Sequence, residues 1–172
     1  KEIRNFNRPK SVFGPFTFTT QKLIDKGFEK DAQYIKTHKF IKDSNELAAI
    51  IGLKENYREL KDQFQIQIAT PKNYPVIGWL DYVNTCNQWG IVGEGLTGAD
   101  IDRTFIATNF EEVDLENNDD KSLCRYEFLE IISRLGKIKY FDTGVCPDIP
   151  KATEKLIVDF ILPSLGQMKM AW

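Results

Sequence analysis

A chain of 172 residues that is 42% hydrophobic and 28% charged has the composition of a soluble globular protein, with room for one sizeable core or two small lobes. Its formal charge of −2, with no Lys/Arg cluster interleaved with aromatic residues, argues against a nucleic-acid-binding surface. Cys86, Cys124 and Cys146 form no CxxC pair and have no histidine at ligand spacing, so neither a zinc site nor a disulfide framework is indicated.

Those cysteines fit a reducing, cytoplasmic setting. The longest apolar stretches, such as 156–162, are broken by Asp159 and fall far short of a membrane span, so no membrane partner is expected. No signal peptide is visible at the start, and the chain opens on Lys1 rather than Met, so it can be a piece of a longer one.

Residues 1–19 hold Pro9, Gly14 and Pro15 among Phe and Thr, which predicts an extended arm. Leu23, Ile24, Phe28, Ala32 and Ile35 then recur at the spacing of an amphipathic helix, despite Gly27. Asp43 with Glu46 has the form of a capping box and predicts a short helix over 46–51 that stops at Gly52. Tyr57, Leu60, Phe64 and Ile68 stand at i, i+3, i+7 and i+11 and predict a helix ending before Pro71. After a loop at 70–75, a helix is expected over 79–89, burying Tyr82, Val83 and Cys86, until Gly90, Gly93 and Gly95 interrupt it. Thr97 is placed to cap the next helix, 99–108, with Ile101 and Phe105 facing inward.

An acidic run follows, with Glu111, Glu112, Asp114, Glu116, Asp119 and Asp120 set around Asn117 and Asn118. Beyond it Phe128, Ile131, Ile132 and Leu135 mark an amphipathic helix with an end near Gly136. After a turn at 144–147, Asp148 and Pro150 sit where an N-cap and a first-turn proline belong. That last helix carries Ala152, Leu156, Phe160 and Ile161 and is expected to close at Pro163 and Gly166. No segment alternates with period two over a useful length, so the fold class is all-α.

Two segments share one skeleton of helix, loop, aliphatic residue, three residues, acid, aromatic and helix. The first is Ile77-Gly78-Trp79-Leu80-Asp81-Tyr82 after the helix carrying Phe64; the second is Leu123-Cys124-Arg125-Tyr126-Glu127-Phe128 after the helix carrying Phe105. The repeat resembles a degenerate, calmodulin-like EF-hand pair. That resemblance implies a short bridge between Ile77 and Leu123, with Asp81 and Glu127 as the terminal acids of the two loops. It divides the chain into an arm (1–19), N-terminal helices (20–53), the EF-hand-like pair (54–137) and a C-terminal helical segment (138–172). A helical bundle whose loops merely happen to be polar is the alternative.

Ligand arithmetic separates the two loops. In the register set by Ile77, the first puts Thr70, Lys72 and Tyr74 at positions 1, 3 and 5 and Pro75 where glycine usually turns the chain, a set that cannot offset the dehydration of a divalent cation. Counting back from Glu127, the second offers Glu116, Asn118 and Asp120 at those positions, but with Lys121 as the turn residue. A register starting at Glu112 uses Asp114 and Glu116 and leaves Glu127 four residues late. Against the spacing of about eleven in the family pattern, Phe64 to Ile77 spans thirteen positions and Phe105 to Leu123 eighteen, so both loops are expanded, the second substantially, and preorganisation is reduced. The candidate ligands are Asp114, Glu116, Asn118, Asp120 and Glu127; the expected cofactor is none, with calcium as the alternative.

Other chemistry is thin. His38 lies between Lys36 and Lys39 and reads as a surface residue, Arg125 beside Cys124 could lower its thiol pKa, and no nucleophile elbow, Walker loop or dinucleotide fingerprint occurs, so an enzyme is not expected. Large apolar residues are in excess. Phe64, Trp79, Tyr82, Phe105, Phe128, Ile131, Ile132 and Leu135 are the candidates for a groove between the two units that would receive a protein partner.

The stretches 100–109 and 125–132 are similar to those of degenerate EF-hand-like proteins from organisms with motile cilia. The resemblance implies a non-enzymatic, calcium-independent binding module in a cytoskeletal assembly, microtubular or ciliary. A calcium sensor that binds a target helix, and a regulatory subunit of an enzyme complex, are the alternatives. A basic partner surface is expected from the acidic run.

Overall fold

The structure, a computed structural model, describes residues 20–42, 51–69, 74–110 and 121–170. In chain order these give α1 (Thr20–Ala32), a 3-10 turn (Thr37–Lys39), α2 (Ile51–Glu55), α3 (Tyr57–Ile68), β1 (Ile77–Gly78), α4 (Trp79–Trp89), α5 (Gly98–Asn109), β2 (Ser122–Leu123), α6 (Arg125–Gly136), α7 (Ile149–Leu156) and α8 (Leu162–Met170). The fold is all-α, with two short strands among the described residues. The arm at 1–19, the Asp43 and Glu46 pair and the acidic run at 111–120 lie outside the described residues. Among the described residues no helix is long and apolar enough to cross a membrane.

Local chemistry accounts for the boundaries that the sequence predicts. Thr97 and Asp100 form a reciprocal capping box at the start of α5, and Asp148 accepts from the Lys151 N–H at the start of α7 with Pro150 in the first turn. Gly90 closes α4 in a left-handed conformation, φ 71°, which costs a residue without Cβ little.

Two expected stops do not occur. Gly52 lies inside α2, where a Cβ would come within 3.2 Å of both the Glu154 backbone nitrogen and the Pro150 carbonyl; its smallness serves close packing on α7, not termination. Pro163 and Gly166 lie inside α8. The turn before Pro163, Ile157–Ile161, is π-helical, and the Leu162 N–H reaches back to the Ile157 carbonyl. A widened turn relieves the crowding that a proline ring meets in a regular helix interior, so the chain continues through it.

The helix α6 also departs from expectation. Its apolar positions predict one buried stripe, yet Glu127, Phe128, Leu129, Glu130, Ile131, Ile132, Ser133, Leu135 and Gly136 are all buried. It is the central helix, covered on several sides. Phe128 meets Phe64 of α3 at 5.5 Å and Trp89 of α4 at 6.0 Å between ring centroids. On another side α7 packs along it, with the Ser133 and Thr153 hydroxyls 3.0 Å apart. Gly136 permits that approach: a Cβ there would lie 2.9 Å from the Thr153 Cα. The helix does not end at Gly136 but runs into a second π-helical turn, Lys137–Phe141.

That turn anchors the glycine-rich loop after α4. The buried Lys139 ammonium donates to the Ile91 carbonyl at 3.0 Å and the Glu94 carbonyl at 2.9 Å. Gly95, at φ 77°, lets the loop settle on the turn, since a Cβ would meet the Lys139 carbonyl at 2.9 Å.

Candidate functional site

The two helix–loop–helix units, α3 to α4 and α5 to α6, are tied where their loops end. β1 and β2 pair antiparallel, with Ile77 opposite Leu123 and Gly78 opposite Ser122. Both aliphatic side chains are fully buried, so the pairing is also a core contact. The bridge expected between Ile77 and Leu123 is therefore present.

Of the five candidate metal ligands, Asp114, Glu116, Asn118 and Asp120 fall outside the described residues. Glu127 is described, and it is 1% exposed. One of its carboxylate oxygens accepts the Cys124 backbone N–H at 2.9 Å, closing the first turn of α6 as a capping box. Asp81, the corresponding acid of the first unit, is half-buried at the start of α4, and its carbonyl accepts from the Thr85 hydroxyl at 2.7 Å. Among the described residues no three of His, Cys, Asp and Glu converge as a metal cage.

Cys124 is not activated by its neighbour. Burial pushes its thiol up to about 12, and the Glu127 carboxylate adds to the shift. Arg125 faces elsewhere: its guanidinium holds the Asp31 carboxylate, bringing the end of α1 onto the start of α6. The Tyr57 hydroxyl donates to the same carboxylate at 2.7 Å. His38 is exposed in the 3-10 turn.

Seven of the eight residues expected to line a groove are buried in the core: Phe64, Tyr82, Phe105, Phe128, Ile131, Ile132 and Leu135. Only Trp79 stays at the surface, 48% exposed, with its indole N–H donating to Asp102 of α5 at 3.0 Å. Leu80, Ile106 and Phe110 are exposed on the same pair of helices, and Phe110 directly precedes the acidic run. The chain's own α7 packs on another face of α6, at Ser133 and Gly136.

Sequence reasoning missed three residues that organise this region. Lys36, in a polar stretch with no periodic signal, sends its ammonium to the carbonyls of Thr108 and Phe110 at the end of α5. Glu130 is 0% exposed and accepts from the Lys36 backbone N–H and the Arg134 guanidinium, both at 3.0 Å. Asp31 is the buried anchor for Arg125. The position of Glu130 among apolar neighbours was the one legible hint, because a carboxylate there needs partners.

The chain matches no protein-family model, no curated protein and no solved structure.

Proposed function

We propose that the protein is a non-enzymatic, protein-binding structural module, built on a calcium-independent EF-hand-like pair and working within a cytoskeletal assembly, microtubular or ciliary. The observation that carries the reading is the Ile77 to Leu123 pairing, which joins two helix–loop–helix units at the position where EF-hand pairs are bridged. Calcium independence is supported by the Glu127 oxygen engaged in capping α6 and by the Lys36 ammonium at the end of α5. The ciliary and cytoskeletal setting rests on the resemblance of 100–109 and 125–132 alone.

On this reading the partner is met at the surface, because α7 fills the face beside α6. Trp79, Leu80, Ile106 and Phe110 are the contact residues, and the acidic run selects a partner with a basic surface.

Co-sedimentation of the full chain with polymerised microtubules tests the setting, run in calcium and in chelator across a salt series. Equal pelleting in calcium and chelator, weakened by salt, is the expected result. Pelleting only in calcium would replace this reading with the sensor, and no pelleting at low salt would remove the microtubule from it.

The sensor keeps one observation in its favour. Asn109 and Ser122 stand on either side of the acidic run, and both are buried with side-chain polar atoms that have no hydrogen-bond partner among the described residues.

A further inference from the structure

The C-terminal segment is held in two different ways. α7 is pressed onto α6 so closely that a Cβ at Gly136 would lie 2.9 Å from the Thr153 Cα. The π-helical turn Ile157–Ile161 that follows is also fixed, with Ile157 and Ile161 fully buried. Beyond it α8 lies against α3. Within α8 Ser164 and Leu165 are buried, Leu162 and Met168 are half-buried, and Pro163, Gly166, Gln167 and Met170 are exposed. Proline and glycine are the residue types least suited to a helix interior. The hold of α8 therefore rests on a short line, Leu162, Leu165 and Met168, set three residues apart.

That line meets a polar side chain that it does not satisfy. Gln63 of α3 is 0% exposed. Its amide nitrogen donates to the Met168 sulfur at 3.8 Å, a weak acceptor, and its amide oxygen has no hydrogen-bond partner among the described residues. Turning the amide over exchanges its two atoms without supplying a donor, because a thioether has none. One buried polar atom left unpaired shifts an equilibrium by about tenfold or more. A different helix in the same seat would remove that cost by bringing a donor.

We propose that the α3 face under α8 is a second docking surface, covered by the chain's own C-terminal helix until a partner helix takes its place. The partner fits by presenting aliphatic residues at the spacing of Leu162 and Leu165 and, three residues further on, an amide or ammonium donor to the Gln63 oxygen where this chain has Met168. The break comes at the end of the π-helical turn, so α7 and its seam with α6 stay in place. This surface lies on α3, while Trp79 and Ile106 lie on α4 and α5, so it stands or falls independently of the reading above.

The test uses the full chain, its Leu165→Ala variant and the double variant Gln63→Leu with Leu165→Ala, each checked for folding by far-UV circular dichroism. The probes are two acetylated and amidated peptides spanning 160–170, one of natural sequence and one with Met168→Gln, titrated by calorimetry. Leu165→Ala loosens the internal helix and is expected to strengthen binding of the Met168→Gln peptide at least about tenfold over the unsubstituted chain. On that variant the Met168→Gln peptide should bind about tenfold tighter than the natural one. In the double variant the two peptides should bind within about twofold of each other.

Equal affinities of the two peptides for Leu165→Ala, or a preference that survives Gln63→Leu, would show that the glutamine selects nothing. Binding of neither peptide would show that the seat receives no second helix. Each of these outcomes overturns the inference, and so does a Leu165→Ala chain that has lost its fold, since α8 is then part of the core rather than a cover. The full-length Met168→Gln protein gives a second reading that needs no peptide. Its melting point should rise by about 2–4 °C as the Gln63 oxygen gains a donor, and an unchanged or lower one overturns the inference.

Discussion

Arg125 grips Asp31 through two parallel bonds, Nε to Oδ2 at 2.6 Å and Nη2 to Oδ1 at 2.9 Å, and so fastens the first helix of the described chain to the start of its central one. A forked, bidentate pair of this kind is directional as well as strong. Arg125→Met would leave the buried Asp31 carboxylate with the Tyr57 hydroxyl. Because the arginine is 40% exposed, the expected cost is about 2–3 kcal/mol, below that of a fully buried pair. Urea unfolding checks the value, and in a double-mutant cycle Asp31→Leu with Arg125→Met should recover part of it.

The capping box of α5 makes a prediction about acid. The Thr97 hydroxyl and backbone N–H, at 2.7 and 2.8 Å, and then Arg103 hold the Asp100 carboxyl down at about 2. The unfolded chain takes up this proton near pH 4, before the folded chain does. The stability that Asp100 contributes is therefore complete above about pH 4 and is lost as pH falls from 4 towards 2. Thr97→Ala should cost about 1 kcal/mol at neutral pH and flatten that acid limb, as read from unfolding midpoints across the window.

Two helical glycines should respond with opposite sign to the same substitution. Gly136→Ala drives a Cβ to 2.9 Å from the Thr153 Cα and 3.0 Å from the Ala152 carbonyl, both backbone atoms, so a loss of about 1–3 kcal/mol is expected. Gly166→Ala meets nothing within 4 Å. It should gain about 0.5–1 kcal/mol from helix propensity and a less flexible unfolded chain. Equal effects at the two positions would contradict the close seam between α6 and α7.

Burial pushes the Cys86 and Cys124 thiols up to about 12. On unfolding they ionise near pH 8.5 to 9, so their contribution to stability is complete below that range and is lost as pH rises through it towards 12. At pH 8 iodoacetamide should label both at least about tenfold more slowly in the native protein than in urea, followed by intact mass and peptide mapping. Labelling of Cys124 at the unfolded rate would contradict its half-buried, protonated state.

Local features were legible in the sequence where one chemical cause sufficed. Thr97 with Asp100, Asp148 with Pro150, and the 79–89 helix needed only capping rules and periodicity, and the Ile77 and Leu123 pairing was expected only from the repeat's resemblance to an EF-hand pair. What escaped depended on distant partners. Glycine at 52 reads as a stop until α7 is known to press on it, and Pro163 reads as a stop until the π-helical turn before it is seen. The Phe128 to Leu135 pattern predicts a single apolar stripe. Only the placement of Lys36, Arg134 and α7 explains why Glu130 and Ser133 on the other faces are buried as well. The same limit applied to the proposed groove, since residues spaced for an open cleft and residues spaced for a filled core look alike along the chain.

The contact between Gly136 and Thr153 bears on how this protein could transmit a signal. Calcium sensors report by swinging a helix outward and baring the surface beneath. Here α6 is an axle set in a tight bearing, with α7 lying so close that one added methyl group would jam it. If the protein is the structural module proposed above, such a joint suits it to hold a fixed spacing between neighbours, and the proposed contact surface should keep one shape whatever the ionic conditions around it.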